Sequence, residues 1–355
     1  MSARSAVASP SPVPVAAPRL LSRCRGLVRP ALEEAVRRLH PWVGEMAAYS
    51  FGWCEVGGAP VDAPGGKGVR QALSVLGAEA AGAPARAGVP AAVAVELVHA
   101  FSLLHDDIMD GDTDRRHRPA VWRAYGTGPA VLAGDALFAL AVETLAATQA
   151  GPHGLRLLSA ALGDLVRGQA ADLLFATRPW TGPERVRPEE YRKTAEHKTG
   201  ALLGCAVGLG AVLGGAPPAT VAALDRAGRH LGVAFQLVDD VLGIWGDPAV
   251  TGKPVHGDLR ERKKTFPVLL ALGAPGAAPR RITALLEAGA GSEDAGPRFE
   301  EAARLIEEAG GRAAALAEAR RRSDAVEAAL DGVPLPAGPA AELRELLDYL
   351  VGRDL

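Results

Sequence analysis

The stretch SLLHDDIMDGDTDRRHRP (residues 102–119) sets five aspartates, three arginines and two histidines directly behind a long apolar run. Asp106, Asp107 and Asp110 come first and Arg115, Arg116 and Arg118 follow, an order that suggests a metal and a phosphate. On a helix at 100° per residue, His99, Leu103, Asp106 and Asp110 share one face, so two carboxylates stack one turn apart and can bridge hard cations. Oxygen donors, without cysteine or clustered histidine, favour magnesium over zinc. A solvated acidic helix end would explain one such motif by itself. The second acidic pair weighs against that explanation. FQLVDDVLGIWGD places Asp239 and Asp240 at the end of another apolar-rich helix, with Gln236 one turn before Asp240. Adjacent aspartates have little place on an ordinary core helix. Two such pairs on facing helices would form a carboxylate-lined mouth able to hold magnesium against a diphosphate.

Cations are spread along the chain. Lys67 and Arg70 lie in GGKGVR, Arg115 and Arg116 follow the first acids, Lys198 lies in EHKTG, and Lys253 and Lys263 lie in TGKPVHGDLRERKKTFP. Singly these read as solvated surface charges; together they could clamp two diphosphates, one through magnesium and one through the arginine forks with Lys67. GGKG is too short for a nucleotide-binding P-loop, and no hydroxyl follows its lysine to hold magnesium. His105-Asp106 resembles the opening of a phosphohydrolase metal site, but the other histidines lack supporting His-Asp patterns.

The elements that must position these residues are helical. Apolar residues recur with helical period in segments 25–39, 90–110, 130–147, 154–176, 188–215, 220–246, 298–330 and 339–352, and period-two alternation is nearly absent, so the expected class is all-α. Glycine and proline break the pattern near residues 57–68, 178–188, 246–258 and 273–281. No repeat or composition shift divides the 355 residues, which implies one large domain over 21–355 behind an Ala/Pro/Ser-rich disordered tail at 1–20. The tail has no secretory apolar run; a docking tag for a partner or assembly is its alternative role. A net charge of −2 gives no general pull toward nucleic acid or anionic membrane, so phosphate binding must be local. Residues 199–224 carry no charge, but glycines and Pro217-Pro218 make a buried bundle helix the expectation, not a membrane span. Cys24, Cys54 and Cys205 have no paired spacing, which fits a reducing cytoplasm.

Taken together, the motifs GGKGVR, LLHDDIMDGDTDRRHRP, GQAADL, KTG and FQLVDDVLGIWGDPAVTGKPVHGDL…KKTFP resemble, in order, those of the trans-isoprenyl diphosphate synthases, the polyprenyl synthetase family, and most of all its actinobacterial geranylgeranyl diphosphate synthases. The resemblance implies an isoprenoid synthase fold, a homodimer, and magnesium-dependent condensation of isopentenyl diphosphate with an allylic diphosphate (dimethylallyl, geranyl or farnesyl). It implies three magnesium ions per site, which manganese can replace, on Asp106, Asp110 and Asp239, with Asp107 and Asp240 in support. Arg115, Lys198 and Lys253 would hold the allylic diphosphate, with Lys263 nearby; Lys67, Arg70, His99 and Arg116 would hold isopentenyl diphosphate. Thr199 and Gln236 would line the developing carbocation, and Gln169 and Asp172 would stand behind them.

Two positions depart from the family pattern: Gly243 stands where many relatives carry a third aspartate, with Asp247 too far along to replace it simply, and Arg262 stands where a glycine usually precedes the lysine. These departures leave open a subunit that binds prenyl diphosphates without turnover. A terpene cyclase would need an Asn/Ser/Glu metal motif that DDVLGIWGD does not supply. Product length is a packing question, because the growing chain runs down the helix beneath Asp106. One aromatic, Phe101, lies five residues upstream and small Ser102 four upstream, a pattern that in similar enzymes accompanies geranylgeranyl diphosphate; a second aromatic accompanies farnesyl diphosphate.

Overall fold

The computed structural model describes residues 16–61, 66–248, 255–288 and 295–352. Their order is α1 (Ala16–Arg37), α2 (Pro41–Phe51), α3 (Val69–Ala80), α4 (Val89–Asp110), α5 (Val121–Tyr125), α6 (Thr127–Ala146), α7 (Gly151–Thr177), α8 (Pro188–Ala195), α9 (Ala201–Leu213), α10 (Pro218–Trp245), α11 (Gly257–Arg260), α12 (Phe266–Leu272), α13 (Ala278–Glu287), α14 (Ala295–Glu308), α15 (Gly311–Asp331) and α16 (Ala337–Val351). Among the described residues the only strands are β1 (Asp114–Arg115) and β2 (Arg118–Pro119), a two-residue antiparallel pair. The all-α expectation holds.

Helix signals in the chain act where they stand. Prolines sit in the first turns of α4, α7 and α10, where a missing N–H costs no helical bond. Gly111 ends α4 with φ 72°, a left-handed turn that suits glycine. The helix expected across 298–330 is broken at Gly310, which adopts φ 82° and separates α14 from α15. The first helix starts at Ala16, inside the stretch read as tail, because Leu20 and Leu21 are buried. Residues 1–15, with any docking role, lie outside the described residues.

α4 packs between α3 and α6, and α9 packs among α3, α7 and α10, so the two acidic helices belong to one bundle. Leu97, Leu137, Leu209 and Leu231 are at most 1% exposed in its core. Each such side chain contributes roughly 2 kcal/mol by leaving water. The uncharged 199–224 stretch includes α9, buried along nearly its whole length. Two other stretches, Ala85–Asp110 and Thr127–Ala146, are long and apolar enough to cross a membrane; α4 and α6 within them pack on each other in the bundle.

Candidate active site

α4 delivers the first acids as its helical spacing requires, with Asp106 partly buried, Asp107 buried and Asp110 exposed at the helix end. Asp107 points away from its neighbours and is gripped by Arg115, whose Nε lies 2.7 and 2.9 Å from the two carboxylate oxygens and whose Nη2 also bonds Oδ1. The chain then reverses between β1 and β2 through Arg116 and His117, both left-handed at φ 54° and 62°. Non-glycine residues rarely hold that conformation, and a tight turn of this kind needs it. Arg115 and Arg118 thereby face inward while Arg116 projects toward Gly66, where a Cβ would lie 2.8 Å from its Nη2. Arg118 is itself held by the Cys54 carbonyl at 2.6 Å and lies over the Tyr49 ring.

The mid-chain KTG lies on a π-helical turn, Glu196–Gly200, between α8 and α9. Glycines let this turn wedge between two helices: a Cβ on Gly168 of α7 would lie 2.7 Å from the Lys198 nitrogen, and one on Gly232 of α10 would lie 2.7 Å from the Gly200 nitrogen. Lys198 thus reaches Asp172 of α7 at 2.6 Å. Burial pushes the Asp106 carboxyl up to about 6, Asp110 adds to the rise and Lys198 opposes it. Asp110 is raised by the same burial. Burial alone would lower the Lys198 ammonium, but Asp172, Asp106 and Asp110 outweigh it and raise it. Acids and lysine therefore share one electrostatic pocket whose carboxylates lack enough positive charge.

From the same turn, Thr199 Oγ1 donates to Gln236 Oε1 at 3.0 Å, and Gln236 Nε2 donates to Asp240 Oδ1 at 3.0 Å. Asp240 is 2% exposed and accepts a further bond from the Phe266 N–H at 3.1 Å, so it anchors the start of α12. Burial raises its carboxyl to about 7, while Tyr191, Gln236 and Phe266 donate to it and limit the rise. Asp239, one residue earlier, is partly exposed.

A second basic pocket adjoins the first. Arg70 of α3, Arg116, and Glu96 and His99 of α4 surround it; the last three line a cavity of about 120 Å3 with Tyr49, Asp107 and Arg115. Burial lowers Arg70, Glu96 counters this and Arg116 reinforces it. Burial, with Arg70, Arg116 and Arg115 around it, holds His99 neutral, well below its ordinary 6.5. Buried Nε atoms of Arg25 and Arg70 and Oε1 of Gln71 lack partners, as do both amide atoms of Gln169. Lys67 is exposed. The unpartnered Nε–H groups of Arg25 and Arg70 are donors of the kind that suits a diphosphate.

Among the expected residues, Lys253 lies outside the described residues. Lys263 is exposed and reaches Glu261 at 2.5 Å. Arg262 adopts φ 56°, the conformation that makes glycine usual there, and its guanidinium bonds the Ala288 carbonyl at 2.9 Å. Phe101 stacks edge-on to His105 at 4.9 Å and tilts against Phe138 of α6 at 5.6 Å, while Ser102 turns its hydroxyl to the His99 carbonyl at 2.9 Å. Sequence reasoning missed Glu96, Arg25, Tyr191 and Asp258. Glu96 had a signal, three residues before His99 on α4, and Asp258 lies within the quoted TGKPVHGDL stretch; Arg25 and Tyr191 reach the site from segments with none.

Among the described residues no three His, Cys, Asp or Glu side chains converge as an all-protein metal cage. The donor set of Asp106, Asp110 and Asp239 is nonetheless all oxygen, and burial leaves Asp106 and Asp110 in need of cations. That fits magnesium, which retains water and shares its remaining positions with substrate phosphates.

The Polyprenyl synthetase family profile matches residues 60–300. The chain is 46% identical to the (2E,6E)-farnesyl diphosphate synthase of Mycobacterium tuberculosis over 94% of its own length and 92% of that protein. It is 42% identical to the geranylgeranyl diphosphate synthase of the same organism, covering 89% and 90%. The crystal structure of a polyprenyl synthetase from Streptomyces coelicolor A3(2) superposes with a TM-score of 0.88 at 49% identity, covering 94% of this chain and 99% of that one. With two acidic clusters, a shared lysine and an adjoining arginine pocket on an all-α bundle, the chain belongs to the polyprenyl synthetase family of isoprenoid synthase fold and is a prenyltransferase of the trans-prenyl diphosphate synthase kind.

Proposed function

We propose that this prenyltransferase extends an allylic diphosphate with isopentenyl diphosphate and releases geranylgeranyl diphosphate. The carrying observation is the pair of adjoining pockets: an acidic one where Lys198 lies among Asp106 and Asp110 of α4 and Asp172 of α7, and a basic one with Arg70, His99 and Arg116. The first suits an allylic diphosphate held through divalent metal, the second a diphosphate held by the protein alone. Asp106, Asp110 and Asp239 would hold magnesium, or manganese with its like preference for oxygen, three ions in our reading. When bound, the metal neutralises the charge of the leaving diphosphate. Lys198, kept protonated beside Asp172, and Arg115, oriented by Asp107, add fixed positive charge there. By the family resemblance Lys253 would join the same grip, with Lys263 nearby.

The allylic C–O bond breaks and leaves a delocalised cation. Thr199 and Gln236, tied to each other, present oxygen dipoles beside it. Lys67, Arg70, His99 and Arg116 hold isopentenyl diphosphate so that its double bond attacks that cation, and a proton then leaves to the diphosphate product. The apolar walls keep out water, which would otherwise trap the cation as an alcohol.

Phe101 supports a twenty-carbon product, because it is the one aromatic at the fourth and fifth positions before Asp106, with small Ser102 beside it. A fifteen-carbon product is the second reading, favoured by the 46% relative. Purified protein given magnesium, isopentenyl diphosphate and each allylic starter should release the C20 diphosphate by mass spectrometry, and Phe101→Ala should lengthen it. A C15 end point that Phe101→Ala leaves unchanged would remove Phe101 from the account. Cytoplasmic location is part of the same proposal, since Cys24, Cys54 and Cys205 are free, buried thiols suited to a reducing compartment.

A further inference from the structure

The π-turn Glu196–Gly200 closes with a bond from the Ala201 N–H to the Glu196 carbonyl, inside a run that is otherwise α-helical. Single π-turns of this kind are rare and gather at functional sites. α7 meets this one on three successive turns of its own. Asp164, Gly168 and Asp172 are spaced by four and share one face of α7. Asp164 Oδ1 lies 3.9 Å from His197 Nε2, Gly168 admits the Lys198 backbone, and Asp172 takes the Lys198 ammonium at 2.6 Å.

Arg229 of α10 packs on the exit of the turn. Its carbonyl would lie 2.8 Å from a Cβ on Gly200 and its Cγ 2.9 Å from one on Gly204 of α9, so the arginine stem runs where two side chains are missing. The guanidinium then ties two helices together: Nε donates to Asp225 Oδ2 at 2.9 Å within α10, and Nη1 donates to Asp164 Oδ2 at 2.8 Å on α7. A planar guanidinium fixes two acceptors in one geometry, which a lysine cannot do. The Asp164, Asp225 and Arg229 side chains are each less than a fifth exposed. Burial opposes charge on Asp164 and on Arg229, but the bond between them outweighs it, lowering the acid and raising the base. The bridge is therefore ionised at neutral pH.

We infer that Arg229 is a positioning residue for Lys198: by bridging Asp225 of α10 to Asp164 of α7 it fixes the spacing of the two helices that flank the π-turn, and so the point at which the turn presents the Lys198 ammonium. The inference deepens the proposed function and rests on reading Lys198 as a fixed charge on the allylic diphosphate. Asp164 precedes Asp172 by two helical turns, about 12 Å along the axis. The bridge therefore acts on Lys198 through the turn and not by touching the diphosphate.

The test is a double-mutant cycle on steady-state turnover of geranyl diphosphate with isopentenyl diphosphate and magnesium, using the full chain. Arg229→Met keeps the stem and removes the guanidinium. It should lower kcat about tenfold, the scale of loss when a binding group drifts by less than an ångström. The KM for isopentenyl diphosphate should stay within about twofold of wild type, because Arg70 and His99 of that pocket stand on α3 and α4. Asp164→Asn, which keeps the shape and removes the charge, should cause a similar loss. In Lys198→Met protein neither substitution should lower kcat further, because the group they position is gone. Folded Arg229→Met or Asp164→Asn with kcat within about twofold of wild type would overturn the inference, as would a matching rise in that KM. Losses that multiply in the Lys198→Met background would overturn it too, since they mark a general loosening of the bundle. If Arg229→Met does not fold, Asp164→Asn runs the cycle alone. A kcat unchanged by Lys198→Met would sink the reading of Lys198, and the inference with it. A loss in Lys198→Met that neither bridge variant reproduces would sink the inference only.

Discussion

His99 shows how one side chain carries both site chemistry and stability. Burial among Arg70, Arg116 and Arg115 keeps it neutral, so it serves as a hydrogen-bonding group in a pocket whose positive charge comes from arginine. The unfolded chain takes up a proton near 6.5, whereas the folded one does so only well below. Folding is therefore opposed as pH falls through 6.5, by about 1 kcal/mol over the first unit. Ligand-free protein should lose that much between pH 6.5 and 5.5 in urea unfolding, and His99→Gln should flatten the loss; equal slopes in the two proteins would refute the assignment. Phe101 belongs to the same scale, since its proposed role comes from the space it occupies.

Among the elements, α8 is short and holds little core of its own, yet it carries Tyr191, which bonds the buried Asp240. It is held by charge. Glu318 of α15, 4% exposed, accepts from Arg192 of α8 at 3.2 Å, from Arg321 Nε at 2.9 Å and from Arg322 Nε at 2.9 Å. Burial pulls its carboxyl up, but Arg321, Arg322 and Arg192 outweigh it and hold it below the usual 4.5. A depressed carboxyl stabilises above 4.5 and loses that contribution as pH falls through its folded value. Glu318→Ala removes the shared acceptor of three partly exposed guanidiniums and should cost about 2 kcal/mol at pH 7. Calorimetry should show the melting temperatures of the two proteins converging in acid. A constant gap would assign the loss to packing alone.

At the scale of the molecule, α6 leaves Val131, Leu132 and Phe138 exposed at 38%, 49% and 37%, with Phe101 packed beneath Phe138. An apolar face of this kind on an otherwise charged surface is where a partner would seat. A second copy of the chain is the partner expected from the family resemblance. Light scattering after size exclusion should give twice the 36.6 kDa chain mass, and Leu132→Glu should shift it toward one copy. A monomer in the wild type at micromolar concentration would contradict this.

The aspartates of the candidate site were legible along the chain because local spacing dictates them: aspartates one turn apart on an apolar helix share a face wherever that helix packs. The helical class followed from periodicity for the same reason. Other features depended on contacts between distant segments. Nothing local announces that Gly168 and Gly232 admit a π-turn carrying Lys198, that Glu318 secures α8, or that Arg229 ties α10 to α7. Local sequence specifies which groups a helix face presents, since backbone geometry sets that face. Only the packed bundle decides which faces meet, because close approach depends on side chains absent at one position and supplied from another.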